Sequence, residues 1–112
     1  MGTKLQSLSP AEWQLLQLVY RLEPPVSLHE VSGQTDQWQY STVQTLLNRV
    51  AHKGWLAKET AGKRLSLYSP VLSFEQAVEA RLRELLERDF LGDSRLAEYA
   101  RDAARRILEN GS

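Results

Sequence analysis

The sequence predicts a mainly helical α+β fold, in which three helical segments, a β-hairpin and two further helical segments follow one another along 112 residues. The first two helices open with S-x-x-E capping boxes, at Ser9–Glu12 and Ser27–Glu30. The third helix has apolar residues at i, i+3, i+4 and i+7 from Val43 to Val50. Three helices followed by a hairpin indicate a winged helix-turn-helix domain, and we expect a C-terminal two-helix dimerisation region after it.

The first helix is predicted to begin at Pro10, because Ser9 is a favourable N-cap and proline fits the first helical position. Pro24-Pro25 is expected to stop the chain from continuing this helix. Its expected apolar stripe consists of Trp13, Leu16, Val19 and Tyr20.

The second helix is predicted to be short. Val26 is expected to form a brief extended segment, after which Ser27 caps a helix that buries Leu28 and Val31. Gly33 and the polar residues after it, Gln34 to Gln37, are expected to end the helix.

The third helix is predicted from about Tyr40 to Lys53, with Gly54 as a left-handed C-cap. Its expected core residues are Val43, Leu46, Leu47 and Val50. Two alternating runs follow, at 55–59 and 64–70, and the glycine-containing stretch 60–63 between them predicts a β-hairpin.

The C-terminal part is predicted to form two amphipathic helices of about 19 and 15 residues, separated by Gly92-Asp93-Ser94. We expect a winged-helix domain at residues 1–71 and a helical dimerisation region at residues 72–112. A second copy of the chain would cover apolar side chains that the winged domain does not bury. The expected interface consists of Phe74, Val78, Leu82, Leu85, Leu86, Phe90, Leu96, Tyr99, Ala100, Ala103, Ile107 and Leu108. The alternative is that both helices fold back onto the winged domain.

The composition predicts a cytoplasmic protein. The chain has no cysteine, no apolar run long enough to span a membrane and no apolar signal segment at residues 1–5. The net charge is zero, which argues against nucleic acid as a partner. However, residues 1–70 carry seven Lys or Arg against five acids, and local potential matters more than the overall sum.

We expect no catalytic site, no cofactor and no metal site. His29 and His52 lie on different predicted helices without metal-ligand spacing, and neither a phosphate-binding glycine loop nor a nucleophile motif is present. A small metal-dependent enzyme, the alternative, would need ligand clusters that the sequence lacks.

The third helix predicts a surface that binds double-stranded DNA. Opposite its apolar stripe the residues are polar, and no acid occurs from Tyr40 to Ala51. Such side chains hydrogen-bond base edges and phosphates. The residues expected to contact base edges or to position the helix on DNA are Ser41, Thr42, Gln44, Thr45 and Asn48. Those expected to neutralise phosphates are Arg49, Lys53, Lys63 and Arg64. The alternatives are a polar helix without a partner and a winged-helix adaptor or co-regulator that binds protein instead of DNA.

Four stretches of the chain resemble the penicillinase-repressor family. They are L-S-P-A-E-W at 8–13, Y-S-T-V-Q-T-L-L-N-R-V at 40–50, K-G-W-L at 53–56 and Y-S-P at 68–70. The similarity runs in order from about Leu8 to Leu108.

The resemblance implies a homodimeric transcriptional repressor that binds an inverted-repeat operator through its third helix and dimerises through its C-terminal helices. In the β-lactam-responsive branch, a membrane sensor-transducer protease triggers cleavage in the first C-terminal helix. Asp89-Phe90 stands at the comparable place, with Asp where that branch usually has Asn. The copper-responsive branch carries a cysteine cluster, which this cysteine-free chain lacks.

Overall fold

The computed structural model describes residues 5–62, 64–89 and 94–110; within these ranges the side chains of Leu86, Asp89, Ser94, Leu96 and Ala97 are not described. It confirms the predicted winged-helix α+β fold. The described elements, in chain order, are α1 (Pro10–Arg21), β1 (Val26–Ser27), α2 (Leu28–Ser32), α3 (Tyr40–His52), β2 (Leu56–Ala61), β3 (Leu65–Pro70), α4 (Phe74–Asp89) and α5 (Ser94–Asn110).

Two compact units make up the chain, one at residues 1–74 and the other at residues 75–112. The first unit contains α1 to β3, which together form the winged helix. The second contains most of α4 and all of α5. The polar surface predicted on α3 therefore lies entirely within the first unit.

The two predicted capping boxes are confirmed. Ser9 Oγ accepts from the amide of Glu12, and Glu12 Oε1 accepts from the amide of Ser9 at 2.8 Å. Ser27 and Glu30 make the same reciprocal pair at the start of α2. Each box satisfies amide groups that the first turn of a helix leaves without partners.

The core of the winged unit lies where α1, α2 and α3 meet the sheet. All four predicted core residues of α3 are buried. The prediction for α1 was wrong in part, because Leu15 is fully buried whereas Trp13 and Tyr20 are only half-buried. The completely buried aliphatic side chains are Leu15, Leu16, Val19, Val26, Val31, Val43, Leu47 and Val50.

The sheet has the strand order β1-β3-β2, with both pairs antiparallel. β1 pairs Val26 with Tyr68, which joins the segment before α2 to the hairpin. The predicted hairpin is confirmed, although β2 extends to Ala61 and so includes two residues that were predicted as turn. Gly54 has a φ of 96°, the left-handed conformation predicted for the C-cap of α3.

A buried ion pair joins the start of α1 to the end of α3. Glu12 is only 2% exposed, and its Oε1 lies 2.6 Å from the Lys53 Nζ. The same ammonium donates to the carbonyl of Ser7 at 2.9 Å. Burial acts to raise the pKa of the Glu12 carboxyl, but the hydrogen bonds from Lys53 and Ser9 and the charge of Lys53 outweigh it and lower that pKa below its ordinary value.

The C-terminal unit contains two helices, with 16 described residues in α4 and 17 in α5. Ser94, which was predicted to lie in the break between them, already belongs to α5. Surface ion pairs at helical spacing run along α4, for example Arg83 with Glu79 at 3.0 Å. Among the described helices, none combines the length and the apolar character needed to cross a membrane.

Candidate nucleic-acid interface

The polar face of α3 is open to solvent in the structure. Six of its side chains are exposed and the seventh, Asn48, is half-buried. The four buried aliphatic residues of the helix hold this face outward, because they anchor the opposite side in the core. The exposed residues are Ser41, Thr42, Gln44, Thr45, Arg49 and His52.

The first turn of α3 differs from the first turns of α1 and α2 in its capping. Its N-cap is Gln39, and no side-chain cap accepts a hydrogen bond from its amides. Its first turn also has no acidic residue, whereas α1 and α2 each have a glutamate there. These amide groups can therefore bind an external anion, which the positive end of the helix dipole also favours.

A groove of about 310 Å³ lies between α3 and the hairpin, and none of the residues that line it is acidic. Two acids are sequence neighbours of lining residues. Glu30 follows His29, and its Oε1 accepts from the Ser27 amide at 2.9 Å in the cap of α2. Glu59 follows Lys58 on β2, where successive residues point to opposite faces. The groove is lined by Ser27, Leu28, His29, Tyr40, Gln44, Asn48, Lys58, Arg64, Leu65, Ser66 and Tyr68.

A hydrogen-bonded cluster connects α3 to the hairpin inside this groove. Asn48 Oδ1 accepts from the Tyr68 hydroxyl at 2.9 Å and from the Lys58 Nζ at 3.1 Å. The ammonium also lies 5.8 Å from the centre of the Tyr68 ring, in cation–π range. The cluster connects the hairpin to the polar face of α3.

Lys58 and Tyr68 were not among the predicted DNA-binding residues. The signal that could have found them was the hairpin register, because Lys58 and Tyr68 are directly opposed across β2 and β3. The hairpin was predicted correctly, but its strand register, and so the side chains that face α3, were not predicted.

The predicted cations lie in different environments. Arg49 and Arg64 are exposed, and Arg64 has a φ of 65° at the start of β3. Lys63 lies outside the described residues. Lys53 is engaged by the buried Glu12 and by Ser7, so its charge is already compensated within the fold.

The predicted interface residues of the second unit include large exposed apolar side chains. Leu82 and Leu85 on α4 are 52% and 44% exposed. On α5 the exposed fractions are 71% for Tyr99, 68% for Ile107 and 78% for Leu108. Val78, Ala100 and Ala103 are half-buried.

Some of the predicted interface and cleavage residues belong to the first unit or lie outside the described part of the structure. Phe74 belongs to the first unit, where its half-exposed ring lies 5.1 Å from that of Tyr20. The side chains of Leu86, Asp89 and Leu96 and all of Phe90 lie outside the described part of the structure. The Asp89-Phe90 bond, predicted as a possible cleavage site, therefore also lies outside it.

No cluster of three or more His, Asp or Glu side chains suited to a metal ion occurs within the described ranges. His29 lines the groove and His52 is exposed near the end of α3. The groove itself contains hydrogen-bonding groups and cations, a composition suited to recognising an anion.

The fold and this surface define a winged-helix protein that presents a polar, acid-free helix beside its hairpin. Residues 8–102 match the family described as Penicillinase repressor. Because this match covers most of the chain, the protein belongs to the penicillinase repressor family, as its sequence motifs predicted. The members of this family are transcriptional regulators rather than enzymes.

A curated relative from Latilactobacillus sakei is described as "Uncharacterized 16.5 kDa protein in ptsI 3'region". It is 29% identical over 89 residues, which make up 78% of this chain. The chain spans about 60% of the length of that relative.

Proposed function

We propose that this protein is a sequence-specific DNA-binding transcriptional repressor that binds an inverted-repeat operator as a homodimer. The observation that carries the proposal is the groove beside α3, which combines exposed hydrogen-bonding side chains, two cations and no acid. In this role α3 enters the major groove, while Ser41, Thr42, Gln44 and Thr45 face bases and backbone. Repression follows from occlusion of the promoter.

Phosphates are neutralised by a revised set of cations. Arg49 and Arg64 keep the role expected for them, and Lys63 stays a prediction. Lys58 joins the set because it lines the groove. Lys53 leaves it, since a phosphate would have to compete with a buried carboxylate 2.6 Å away.

Electrophoretic mobility shift against duplex DNA from upstream of the protein's own gene tests the proposal. We expect a salt-sensitive complex that survives an excess of unrelated duplex. The net charge of zero favours a second candidate, a winged-helix adaptor that binds protein. An adaptor would give no sequence-selective shift, even at low ionic strength.

Replacing Arg64 with Gly is expected to weaken binding to all duplexes alike and to reduce the salt dependence. One lost phosphate contact lowers the log–log slope by about 0.9. Glycine is preferable to alanine here, because it accepts the φ of 65° without strain. Fluorescence anisotropy at several salt concentrations measures the slope; a slope equal to that of the wild type would remove Arg64 from the phosphate contacts.

Dimerisation is proposed to use the exposed apolar residues of α4 and α5, whose solvent exposure is unusual for side chains of this size. Ile107→Glu is expected to convert the dimer into a monomer and to weaken operator binding by at least about tenfold, because the second half-site contact is lost. Analytical ultracentrifugation reports the mass. Arg101→Gln, also exposed on α5, changes the net charge by the same −1 and is the control. Equal dimerisation of wild type and Ile107→Glu would contradict the assignment.

The inducing step is proposed from the family alone. A membrane sensor-transducer protease would lead to cleavage at Asp89-Phe90 in the dimerisation region. This cleavage would separate the two winged-helix domains of the dimer. Because binding to two half-sites depends on the dimer, a single cut there would release the operator.

A further inference from the structure

The side chain of Asn48 is held in one orientation by two neighbours from the hairpin. Its Oδ1 lies 3.1 Å from the Lys58 Nζ and 2.9 Å from the Tyr68 hydroxyl. A lysine ammonium has three donors and no acceptor. The amide atom that faces Lys58 is therefore the oxygen, because the NH₂ group would place donor against donor.

The Tyr68 hydroxyl supports the same orientation. Tyr68 is only 2% exposed, and burial raises the pKa of its hydroxyl above the ordinary value. The hydroxyl therefore remains protonated near neutral pH and donates to Asn48. Since an amide oxygen has two lone pairs, these two hydrogen bonds occupy its accepting capacity.

The Nδ2 group of Asn48 is the atom left for an external partner. In a planar amide, Nδ2 points away from the direction in which Oδ1 meets its donors. Among the described residues, none accepts a hydrogen bond from Nδ2, and Asn48 is a half-buried residue that lines the groove. The groove therefore presents a donor at this position.

We propose that Asn48 contacts DNA as a hydrogen-bond donor only, and that Lys58 and Tyr68 are positioning residues that impose this orientation. The inference rests on the proposed DNA-binding function. An unrestrained asparagine can pair with adenine through both amide atoms, accepting from N6 and donating to N7. With Oδ1 occupied, Asn48 recognises an acceptor instead: N7 or O6 of a purine, O4 of thymine, or a phosphate oxygen.

Asn48→Asp removes the donated hydrogen bond at nearly unchanged shape, and the negative charge that it adds is matched by a control. Aspartate keeps an oxygen for Lys58 and Tyr68 but replaces the outward donor with an acceptor. Against a duplex that the wild type selects from a random library, we expect affinity to fall at least about tenfold while the unfolding temperature stays equal or rises. Gln34→Glu, an exposed amide outside α3, is the control for the added charge. Wild-type affinity in Asn48→Asp would overturn the inference.

Tyr68→Phe and Asn48→Ala test the positioning and identify the acceptor. Tyr68→Phe removes one of the two donors to Oδ1. We expect a broader base preference at one position if the acceptor is a base, and weaker binding with an unchanged preference if it is a phosphate. Affinity and preference both equal to those of the wild type would exclude Tyr68 as a positioning residue. Duplexes with base analogues that lack N7, O6 or O4, or with a methylphosphonate, are then compared between wild type and Asn48→Ala. The modification that weakens binding by the wild type but not by Asn48→Ala identifies the acceptor, and shows whether it belongs to a base or to the backbone.

Failure of the inference differs from failure of the proposed function. If the wild type selects no duplex from the library, the DNA-binding function itself is wrong. If the wild type selects a duplex and Asn48→Ala binds that duplex equally well, DNA binding stands and the role of Asn48 is wrong.

Discussion

Lys53→Met is expected to lower the free energy of unfolding of the winged unit by about 2 kcal/mol, because it leaves the Glu12 carboxylate buried without its counter-charge. Removing one partner of a fully buried ion pair usually costs more free energy than this. The Lys53 side chain is 26% exposed, however, so solvent compensates for part of the loss. For a unit of this size the unfolding temperature falls by roughly 10 °C. Thermal unfolding followed by circular dichroism at a fixed protein concentration measures the change.

The double variant Glu12→Gln with Lys53→Met distinguishes an unpaired charge from lost packing. Glutamine keeps an oxygen that can accept from the Ser9 amide but carries no charge. We therefore expect the double variant to be about 1 kcal/mol more stable than Lys53→Met alone. Arg83→Met is the matched control, because it breaks an exposed pair with Glu79 and should cost less than about 1 kcal/mol. Equal losses from Lys53→Met and Arg83→Met would contradict this role of the buried pair.

Ser41→Glu is expected to reduce DNA affinity by at least about 2 kcal/mol, roughly 30-fold, without destabilising the fold. The side chain lies in the first turn of α3, where no acid and no side-chain cap is present. A carboxylate there interacts favourably with the helix dipole and should stabilise the helix by a few tenths of a kcal/mol. The same carboxylate repels the phosphate that the open amides would otherwise bind.

We expect Ser41→Glu to raise the unfolding temperature slightly and at the same time to lower the affinity for DNA. Thermal unfolding gives the first quantity, and anisotropy with a fluorescent duplex gives the second. Gln34→Glu adds an equal charge outside α3 and should leave affinity within about twofold of the wild type. If Ser41→Glu binds DNA as tightly as this control, the first turn of α3 does not contact phosphate.

Most of the fold could be predicted from the sequence because local signals agree with one another. Capping boxes fix where α1 and α2 begin, and the spacing from Val43 to Val50 fixes which side of α3 is buried. The α1 stripe was only partly correct, since Leu15 is in the core and Trp13 is half-buried. The spacing of apolar residues along a helix is compatible with buried faces of more than one width. Which residues are buried depends on where the neighbouring elements pack.

The candidate site was harder to predict because its parts come from elements far apart in sequence. The polar face of α3 could be predicted from one helix alone. The engagement of Lys53 by Glu12 spans 41 residues, and the contacts of Asn48 with Lys58 and Tyr68 depend on how the hairpin meets α3. The phosphate contacts predicted from the sequence therefore included Lys53 and left out Lys58.

Hydroxyl-radical footprinting on a duplex selected by the wild-type protein tests most directly whether two copies of α3 are held at groove spacing. We expect two protected stretches on one face of the duplex, related by two-fold symmetry, with centres about one helical turn apart or a multiple of it. A single protected stretch bound by one chain, or no protection at low ionic strength, would contradict the proposed homodimeric repressor.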